Sequence, residues 1–272
     1  MTIFEPTGPV AVKVTLAGGE VTVQASELPG VEVELAPLRD NEVTRRAIAD
    51  ARVEMIESGG RCEVIVSLGK GSGFTIGRGP EVGVRVRCPR GSDLGVRSSS
   101  ADLEATGALG SVEAKTASGD VSLEAVDSAN LSTASGDVRV RDADQVLSIR
   151  TASGNVSVGR CRGSLSINLV SGDLVVAEAA AGFNVATVSG DVEIRAAAGG
   201  PMQIGSVSGD VHVAIKPGVS LYVDASSLSG DLSSELELEV APAIGSEAQV
   251  RELSIRTVSG DVQIVRAAVA HA

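Results

Sequence analysis

Aspartate side chains recur at near-constant spacing through the second half of the chain. Ser-Gly-Asp, or a close variant, places its serine at 118, 135, 153, 171, 189, 208, 229 and 259. Carboxylate oxygens are the ligands that Ca²⁺ prefers. A stacked row of these side chains could therefore bind calcium, and the candidate ligands are Asp120, Asp137, Asp173, Asp191 and Asp210.

The alternative for this motif is a structural turn that needs no metal. The calcium-binding β-roll repeat is about nine residues long and carries several glycines, whereas this chain has one such aspartate in about 18 residues and no second glycine-rich set. We favour the structural turn and expect no cofactor. The predicted turn residues are Ser118, Gly119, Ser135, Gly136, Ser153, Gly154, Ser171, Gly172, Ser189, Gly190, Ser208, Gly209, Ser259 and Gly260.

Other residues with chemical potential form no catalytic pattern. His212 and His271 have no serine or cysteine nucleophile beside them, and the segment 69–73 lacks the spacing of a phosphate-binding loop. Arg85, Arg87, Arg90 and Arg97 form a basic cluster, which we expect to pair with carboxylates; an anionic ligand is the alternative. No pair of acids stands out by spacing. The sequence therefore predicts no enzyme.

Composition narrows the function classes further. The 272 residues carry a formal net charge of −12, and only 1% of them are aromatic. An acidic surface repels phosphate backbones, so nucleic-acid binding is disfavoured. Pockets that bind small molecules are commonly lined by aromatic rings, which this chain lacks. The three cysteines are widely spaced and predict free thiols rather than a disulfide framework.

The elements that position the aspartates follow from hydrophobic periodicity. Before each Ser-Gly-Asp, apolar or small residues alternate with polar ones, as in Leu147, Ile149 and Thr151; after it the alternation resumes, as in Val156 and Val158. This period of two is typical of half-buried strands. Each repeat therefore reads as strand, corner, strand and second corner. About nine such coils stacked in parallel predict an all-β, single-chain β-solenoid.

The remaining segments predict a division into two parts. Residues 1–90 read as an N-terminal β-rich cap with a short helix, and residues 91–272 as the solenoid, with an insertion near 232–252. Asp40 or Asn41 is the candidate N-cap of the helix. Phe183 is the one ring at an inward position, where we expect a local bulge. Because few residues follow the last coil, we expect an exposed end and self-association there.

The Ser-Gly-Asp-Val repeats, each preceded by a pair such as Thr116-Ala117 or Thr257-Val258, resemble the bacterial putative-adhesin family of β-strand-repeat proteins. This family is also called toastrack-like and is a domain of unknown function. The segment 84–89 that leads into the repeats fits the same layout. The resemblance covers about residues 90–266. It implies a β-solenoid scaffold for interaction, in some members linked to the envelope or to stress sensing, and it brings no catalytic residues.

These observations predict a non-enzymatic scaffold or protein-interaction module, whose partner is a protein or a surface polymer. A polysaccharide-binding or polysaccharide-active solenoid and a self-assembling structural element are the alternatives. The sequence begins without a signal peptide and contains no run of about 20 apolar residues. We therefore expect no membrane insertion and a cytoplasmic location, with envelope association as the alternative.

Overall fold

The computed structural model describes residues 1–6, 8–27, 29–58, 61–68, 79–236 and 251–267. Within them lie one helix, α1 (Glu42–Ala49), and 21 strands that belong to one continuous sheet. The strands are β1 (Thr2–Phe4), β2 (Ala11–Ser26), β3 (Val31–Pro37), β4 (Arg52–Ser58), β5 (Arg61–Ser67), β6 (Glu81–Pro89), β7 (Asp93–Ser118), β8 (Val121–Ser135), β9 (Val138–Ala143), β10 (Val146–Ser153), β11 (Val156–Cys161), β12 (Ser164–Ser171), β13 (Leu174–Ala179), β14 (Phe183–Ser189), β15 (Val192–Ala197), β16 (Met202–Ser208), β17 (Val211–Ile215), β18 (Leu221–Ser229), β19 (Leu232–Ser234), β20 (Arg251–Ser259) and β21 (Val262–Arg266).

The repeats stack as a parallel β-solenoid, so the predicted fold class is confirmed. The strand before each Ser-Gly-Asp pairs with its equivalent in the next coil, as β10 does with β12, and we call this series the first ladder. The strand after the motif pairs likewise, as β11 does with β13, and forms the second ladder. Identical repeat positions are therefore stacked, about 4.8 Å apart.

The core lies between the two ladders and consists of columns of aliphatic side chains. Leu147, Ile149, Val156 and Val158 are all at most 1% exposed, and the alternate residues Ser148, Arg150 and Ser157 lie on the outer faces. Because each coil contributes few inward side chains, a narrow core suffices and large rings are not needed. Phe183 is buried between Leu165 and Met202, and pairing stays in register on both sides of β14, so the expected bulge is absent.

The glycine of each corner is required by both backbone angle and space. Gly154 has φ of 124°, in the region that side chains avoid, and Gly136, Gly172 and Gly190 have similar values. A Cβ at Gly154 would also lie only 2.2 Å from the carbonyl oxygen of Gly136 in the coil below. In these coils the corners can therefore stack at strand spacing only with glycine at this position, whereas the diverged first corner carries Ala101 there.

The parallel ladders continue beyond the nine predicted coils into the N-terminal region. β2 pairs in parallel with β7 on one side and with β5 and β6 on the other. At its corner, Gly18, Gly19 and Glu20 align with Ser100, Ala101 and Asp102. These three residues are therefore a further, diverged corner. The division at residue 90 remains a proposal, and the sheet crosses it without a break.

Antiparallel strands cover the N-terminal end of the solenoid. β4 pairs with β5 as a hairpin, β3 pairs with β6, and β1 pairs with β3. The helix α1 contacts β3 and β6. Its N-cap is Asn41, whose Oδ1 accepts a hydrogen bond from the Thr44 N–H at 2.7 Å. Neither ladder therefore ends in an open parallel edge here.

The coils at the other end do not follow the order of the sequence. β20 pairs with β16 on one side and with β18 on the other, and β21 lies in the same way between β17 and β19. The last coil of the chain thus lies inside the stack. Among the described strands, β18 and β19 form the outer coil, so the expectation that the final coil is the exposed end is wrong.

The insertion expected near 232–252 falls largely outside the described residues. Its described part begins with the short strand β19 and continues to Leu236, which packs partly buried against the core. The alternation of segment 235–240 predicts a projecting strand or hairpin, whose residues beyond Leu236 lie outside the described part of the chain.

Candidate functional site

The aspartates of the corners form a continuous hydrogen-bonded row along one edge of the solenoid. In each step, Oδ1 of one residue accepts the backbone N–H of its equivalent in the next coil, for example Asp191 Oδ1 from Asp210 N at 2.8 Å. The row continues through the coil of β20 and β21, because Asp261 N donates to Asp210 and Asp231 N donates to Asp261. The remaining members are Asp102, Asp120, Asp137, Asn155 and Asp173, each accepting from its neighbour at 2.8–3.0 Å.

This row explains why the motif contains a side-chain carbonyl or carboxylate oxygen at its third position. The oxygen satisfies an N–H that the strand ladders leave unpaired at the corner. Asn155 performs the same function as the aspartates, since its amide oxygen accepts the N–H of Asp173 at 3.0 Å. The interaction therefore needs an acceptor and does not need a charge.

The five candidate calcium ligands are stacked in this row, and one oxygen of each already accepts a backbone N–H. Ca²⁺ takes six to eight oxygen ligands. Among the described residues, no three His, Cys, Asp or Glu side chains are grouped so that they could hold a metal ion. The hydrogen bonds support the structural-turn interpretation of Ser-Gly-Asp, which remains a prediction, as does the calcium row.

Beside the corner row lies a second row, formed by the residue that precedes each serine. It changes along the solenoid from Ala117, Ala134 and Ala152 to larger apolar side chains. The large side chains are exposed and stand in consecutive coils. We name them the apolar stripe: Val170 (50% exposed), Val188 (47%), Val207 (48%), Val258 (48%) and Leu228 (84%).

Strand pairing fixes the order of the apolar stripe. The serines that follow its members are register partners: Ser171 with Ser189, Ser189 with Ser208, Ser208 with Ser259, and Ser259 with Ser229. Four steps of about 4.8 Å give a stripe about 19 Å long. Because Leu228 belongs to the outer coil, the stripe reaches the end of the solenoid.

The outer face next to the apolar stripe is polar and nearly uncharged. Its central row runs along the first ladder, and its six middle members are serine or amide side chains, namely Asn130, Ser148, Ser166, Asn184, Gln203 and Ser254; Glu113 and Asp224 continue the row at its two ends. Arg150 and Arg256 are the cations of the adjoining row in the same coils. This face offers hydrogen-bonding groups with little ionic hydration to remove on binding.

The outer face of the second ladder is, by contrast, rich in ion pairs. Arg160 bridges Asp142 and Glu178 in the coils on either side of it, and Lys216 also contacts Glu178. The hydrogen bond from Lys216, followed by its charge and those of Arg160, lowers the pKa of Glu178 against the effect of burial. The two outer faces therefore differ in chemistry, and the apolar stripe lies on the one with fewer ion pairs.

A shallow groove of about 420 Å³ lies on the charged face, with Glu104, Glu124 and Arg139 among its lining residues. Paired acids in such a groove could serve sugar hydrolysis. Glu124 is, however, already engaged at both oxygens, since it accepts the Gly107 N–H at 2.8 Å and contacts Arg141 at 3.3 Å. These bonds fix the bulged strand β7 and favour a structural role for this acid.

The arginine cluster pairs with carboxylates, as expected. Arg85 contacts Glu34 at 3.1 Å and Arg87 contacts Glu32 at 3.2 Å, both across the β3–β6 pair. Arg90 contacts Glu27 at 3.1 Å, and Arg97 lies 3.9 Å from Glu113. The charges of this cluster are therefore balanced locally, which weakens the case for an anionic ligand.

The remaining candidates from the sequence are scattered. His212 lies on the second ladder, with Nδ1 3.1 Å from Oε1 of Gln263. All three cysteines are free thiols; Cys88 and Cys161 are buried, and Cys62 is partly buried. Burial raises the pKa of the Cys88 thiol to about 11. His271 and the segment 69–73 lie outside the described residues.

Sequence reasoning missed the apolar stripe, although a signal was present. The position before each serine was recognised only as part of the motif, and its change from alanine to valine after Ala152 was not interpreted. What the sequence could not supply was the neighbour relationship at the far end, where Val258 lies between Val207 and Leu228. Listed in chain order, the same residues would place Leu228 inside the stripe.

Comparison with known proteins places this geometry in a family. The chain matches the family Toastrack DUF4097 over residues 11–265, which is nearly its whole length. No curated protein matches it. Among the described residues, no helix is long and apolar enough to cross a membrane.

Several solved structures are similar over nearly the full length. A putative adhesin from Bacteroides fragilis is 11% identical, with 97% of this chain and 95% of that chain covered and a TM-score of 0.43. A putative lipid binding protein from Parabacteroides distasonis is 13% identical, with 97% and 96% covered and a TM-score of 0.46. A putative cell adhesion protein from Clostridium sporogenes is 10% identical, with 97% of both chains covered and a TM-score of 0.30.

The matched region spans every coil of the solenoid together with β2, and its Ser-Gly-Asp corners are the motif through which the sequence resembles toastrack-like proteins. The chain belongs to the Toastrack DUF4097 family.

Proposed function

We propose that this protein is a non-enzymatic, adhesin-like interaction module that binds a protein partner through the apolar stripe. The observation that carries the proposal is the uninterrupted stack of five exposed apolar side chains, from Val170 to Leu228, on a rigid ladder. Single exposed apolar residues are common on soluble proteins, whereas contiguous exposed patches mark interaction sites.

The surroundings of the apolar stripe support binding rather than a purely structural role. The row of side chains next to the stripe on the first ladder is uncharged in most of its coils, and uncharged groups can be desolvated at lower cost than charged ones; Arg256, beside Val258, is the exception among its members, which are Asn168, Ala186, Gly205, Arg256 and Ser226. Each position is fixed by parallel strands on both sides except at Leu228, so little conformational entropy is lost on binding. The acidic charge, a net −12, opposes nucleic-acid partners.

A surface polysaccharide is the second candidate partner, and a separate observation favours it. The row of Asn130, Ser148, Ser166, Asn184 and Gln203 presents hydrogen-bonding groups at regular spacing on a flat face. Uncharged hydroxyl and amide groups suit the hydroxyls of a neutral glycan. One row of outward side chains, which includes Asn168 and Ala186, separates this row from the stripe, so the two candidates predict different sensitivity to substitution.

The two candidates are separated by capture experiments with purified protein. We expect immobilised wild type to retain a partner from extracts of the native cell, and the double variant Val188→Asp/Val207→Asp to lose it. Val146→Asp is the matched control, because Val146 is 52% exposed but lies at the opposite corner of its coil. Folding of all three is checked by circular dichroism and thermal melting.

Equal retention by the double variant and the wild type would contradict binding through the apolar stripe. Loss of retention in Asn184→Ala/Gln203→Ala, with the stripe variant unaffected, would instead favour the polysaccharide. Fractionation of the same cells tests the proposed location, which is the cytoplasm with envelope association as the alternative.

Self-association through the solenoid end is a further proposal, and the surface it would use is the outer coil. The outer coil of the described residues is formed by β18 and β19, whose ladders have a partner on one side only within that part of the chain. Light scattering over a range of concentrations tests it. A mass that stays that of one chain at high concentration would contradict association.

A further inference from the structure

Two coils of this chain can fit the same position in the stack. The coil of β20 and β21 occupies the position next to β16 and β17, and the coil of β18 and β19 is stacked outside it. Yet β18 and β19 come first in the sequence, and they carry the same Ser-Gly-Asp corner in the same register. The occupied position is therefore one for which the chain provides two candidates.

The corner contacts do not distinguish the two candidates. Asp210 Oδ1 accepts the N–H of Asp261, and Asp261 Oδ1 in turn accepts the N–H of Asp231, both at 2.8 Å. Asp231 presents the same group and could take the place of Asp261 against Asp210. The linker 216–220 has five residues and can span either one or two coil spacings, since an extended residue covers about 3.3 Å.

The inward side chains of the two terminal coils differ in size and polarity. The inner coil has Leu253, Ile255, Val262 and Ile264, all at most 2% exposed. Their register partners in the outer coil are Val223, Ala225, Leu232 and Ser234, which are smaller or more polar at three of the four positions. Placing the more apolar coil inside removes more apolar surface from water. The observed order is the favoured one for this reason.

A side-chain clamp adds to this preference. The guanidinium of Arg266, at the end of β21, donates to the carbonyl oxygens of Lys216 and Val219 at 3.4 and 3.0 Å. These carbonyls belong to the linker 216–220, which connects β17 to β18 across the coil of β20 and β21. Arg266 therefore attaches the coil of β20 and β21 to this linker.

We propose that the two terminal coils exchange places, so that the protein has a second arrangement in which the coils follow the order of the sequence. In that arrangement β18 and β19 pair with β16 and β17, and the coil of β20 and β21 becomes the end of the solenoid. Leu253, Ile255, Val262 and Ile264 then lie in the end coil, with a neighbouring coil on one side only. The exchange converts a small, partly polar end into a strongly apolar one that can bind a further strand or coil.

Engineered disulfides between outward positions of the second ladder report which coils are neighbours. His212 is paired with Gln263, and Gln263 with Ser233. His212 and Ser233 are two coils apart, about 9.6 Å, which is too far for a disulfide. The double variant His212→Cys/Gln263→Cys traps the observed arrangement, and His212→Cys/Ser233→Cys traps the exchanged one. Both carry Cys62→Ser, so that the partly buried native thiol does not interfere.

We expect the 212/263 pair to form its disulfide rapidly under mild oxidation. The 212/233 pair should lose its free thiols slowly but completely, as exchange is trapped. Adding Arg266→Gln should accelerate the 212/233 reaction and leave the 212/263 reaction nearly unchanged. Peptide mapping identifies the linked cysteines.

The matched control is Ser157→Cys/Glu193→Cys in the same background. Its two positions are also outward on the second ladder and two coils apart, with Val175 between them, but in a part of the stack that follows the sequence. If 212/233 forms no more disulfide than this control, with or without Arg266→Gln, the proposal is overturned. A rapid 212/233 reaction with no 212/263 disulfide would overturn the observed order itself.

Discussion

Substitutions of Asp191 can distinguish the effect of the hydrogen bonds of the corner row from the effect of its charges. Its Oδ1 accepts the Asp210 N–H at 2.8 Å, and its own N–H donates to Asp173 at 3.0 Å. Asp191→Ala removes the acceptor and the charge, whereas Asp191→Asn removes only the charge. Asn155 shows that an amide oxygen fits the row.

The expected magnitudes follow from these contacts. Loss of one hydrogen bond at a solvent-accessible corner costs about 1 kcal/mol of unfolding free energy. Both variants lose the charge and only Asp191→Ala loses the acceptor, so for a domain of this size we expect its Tm to lie about 2–4 °C below that of Asp191→Asn. Each neighbouring carboxylate, about 4.8 Å away, repels Asp191 by about 1 kcal/mol in water and less in salt. We therefore expect Asp191→Asn to match or exceed the wild-type Tm, most clearly at low ionic strength.

Thermal melting in EDTA and again with added Ca²⁺ provides the assay. The structural account predicts that Asp191→Asn is at least as stable as the wild type in both buffers and that Ca²⁺ changes the Tm of none of the proteins. If Asp191→Asn lost as much stability as Asp191→Ala, the charge rather than the hydrogen bond would matter. If Ca²⁺ stabilised only the wild type, the row would be a metal site and the reasoning would be refuted.

Three other substitutions or treatments test the remaining parts of the fold. Val156→Asp places an unpaired charge in the core, so it should lower the free energy of unfolding by at least about 3 kcal/mol and unfold the middle coils. The control Ser157→Asp, on the outer face, should have no such effect. Equal Tm values for the two variants would contradict the assigned faces. Burial raises the pKa of the Cys88 thiol to about 11, so this thiol should resist alkylation until the protein unfolds, and rapid alkylation of the native protein at pH 8 would contradict this. Because the thiol of the unfolded chain ionises first, the contribution of Cys88 to the free energy of unfolding should fall as pH rises from 9 to 11. The hydrogen bond from Lys216 is the main cause of the lowered pKa of Glu178. This ion pair stabilises the fold fully above the ordinary glutamate pKa of 4.5, and the stabilisation is lost as pH falls below that value. Glu178→Gln should therefore make stability less dependent on pH on the acid side, and an unchanged pH dependence would argue against the ion pair.

The repeat made most of the fold predictable, because periodicity acts on every coil at once. Alternation around Leu147, Ile149 and Val156 defined which side chains are inward, and stacking like on like then required parallel ladders. The helix boundary and its N-cap were also readable, since Asn41 precedes a short helical segment and can accept the Thr44 N–H. These are local signals that no distant contact overrides.

The order of the terminal coils could not be predicted, because every coil carries the same corner and the same alternation. A repeat pattern states that two coils can pair and does not state which two. The choice between the two terminal coils depends on a sum of small differences, such as Ile255 against Ala225 and Ile264 against Ser234. The same degeneracy hid the coil of β2, whose corner Gly18-Gly19-Glu20 retains only part of the motif.

The candidate site was missed for a related reason. Sequence reasoning looked for titratable and nucleophilic groups, and it found the corner aspartates, whose side chains are engaged by the backbone. The apolar stripe contains no such group. It becomes visible only when exposure and neighbours are known, since a valine before the motif could equally belong to the core.

The central claim is that the chain forms a linear stack of parallel coils in which the C-terminal coil lies one position from the end. Pulsed electron–electron spin resonance measures it most directly, with one label at Asn130 and the second at either Ser254 or Asp224. These outward positions are five and six coil steps from Asn130, through Ser148, Ser166, Asn184 and Gln203. The account predicts about 24 Å for 130–254 and about 29 Å for 130–224. The reverse order of the two distances, as the dominant population, would contradict it.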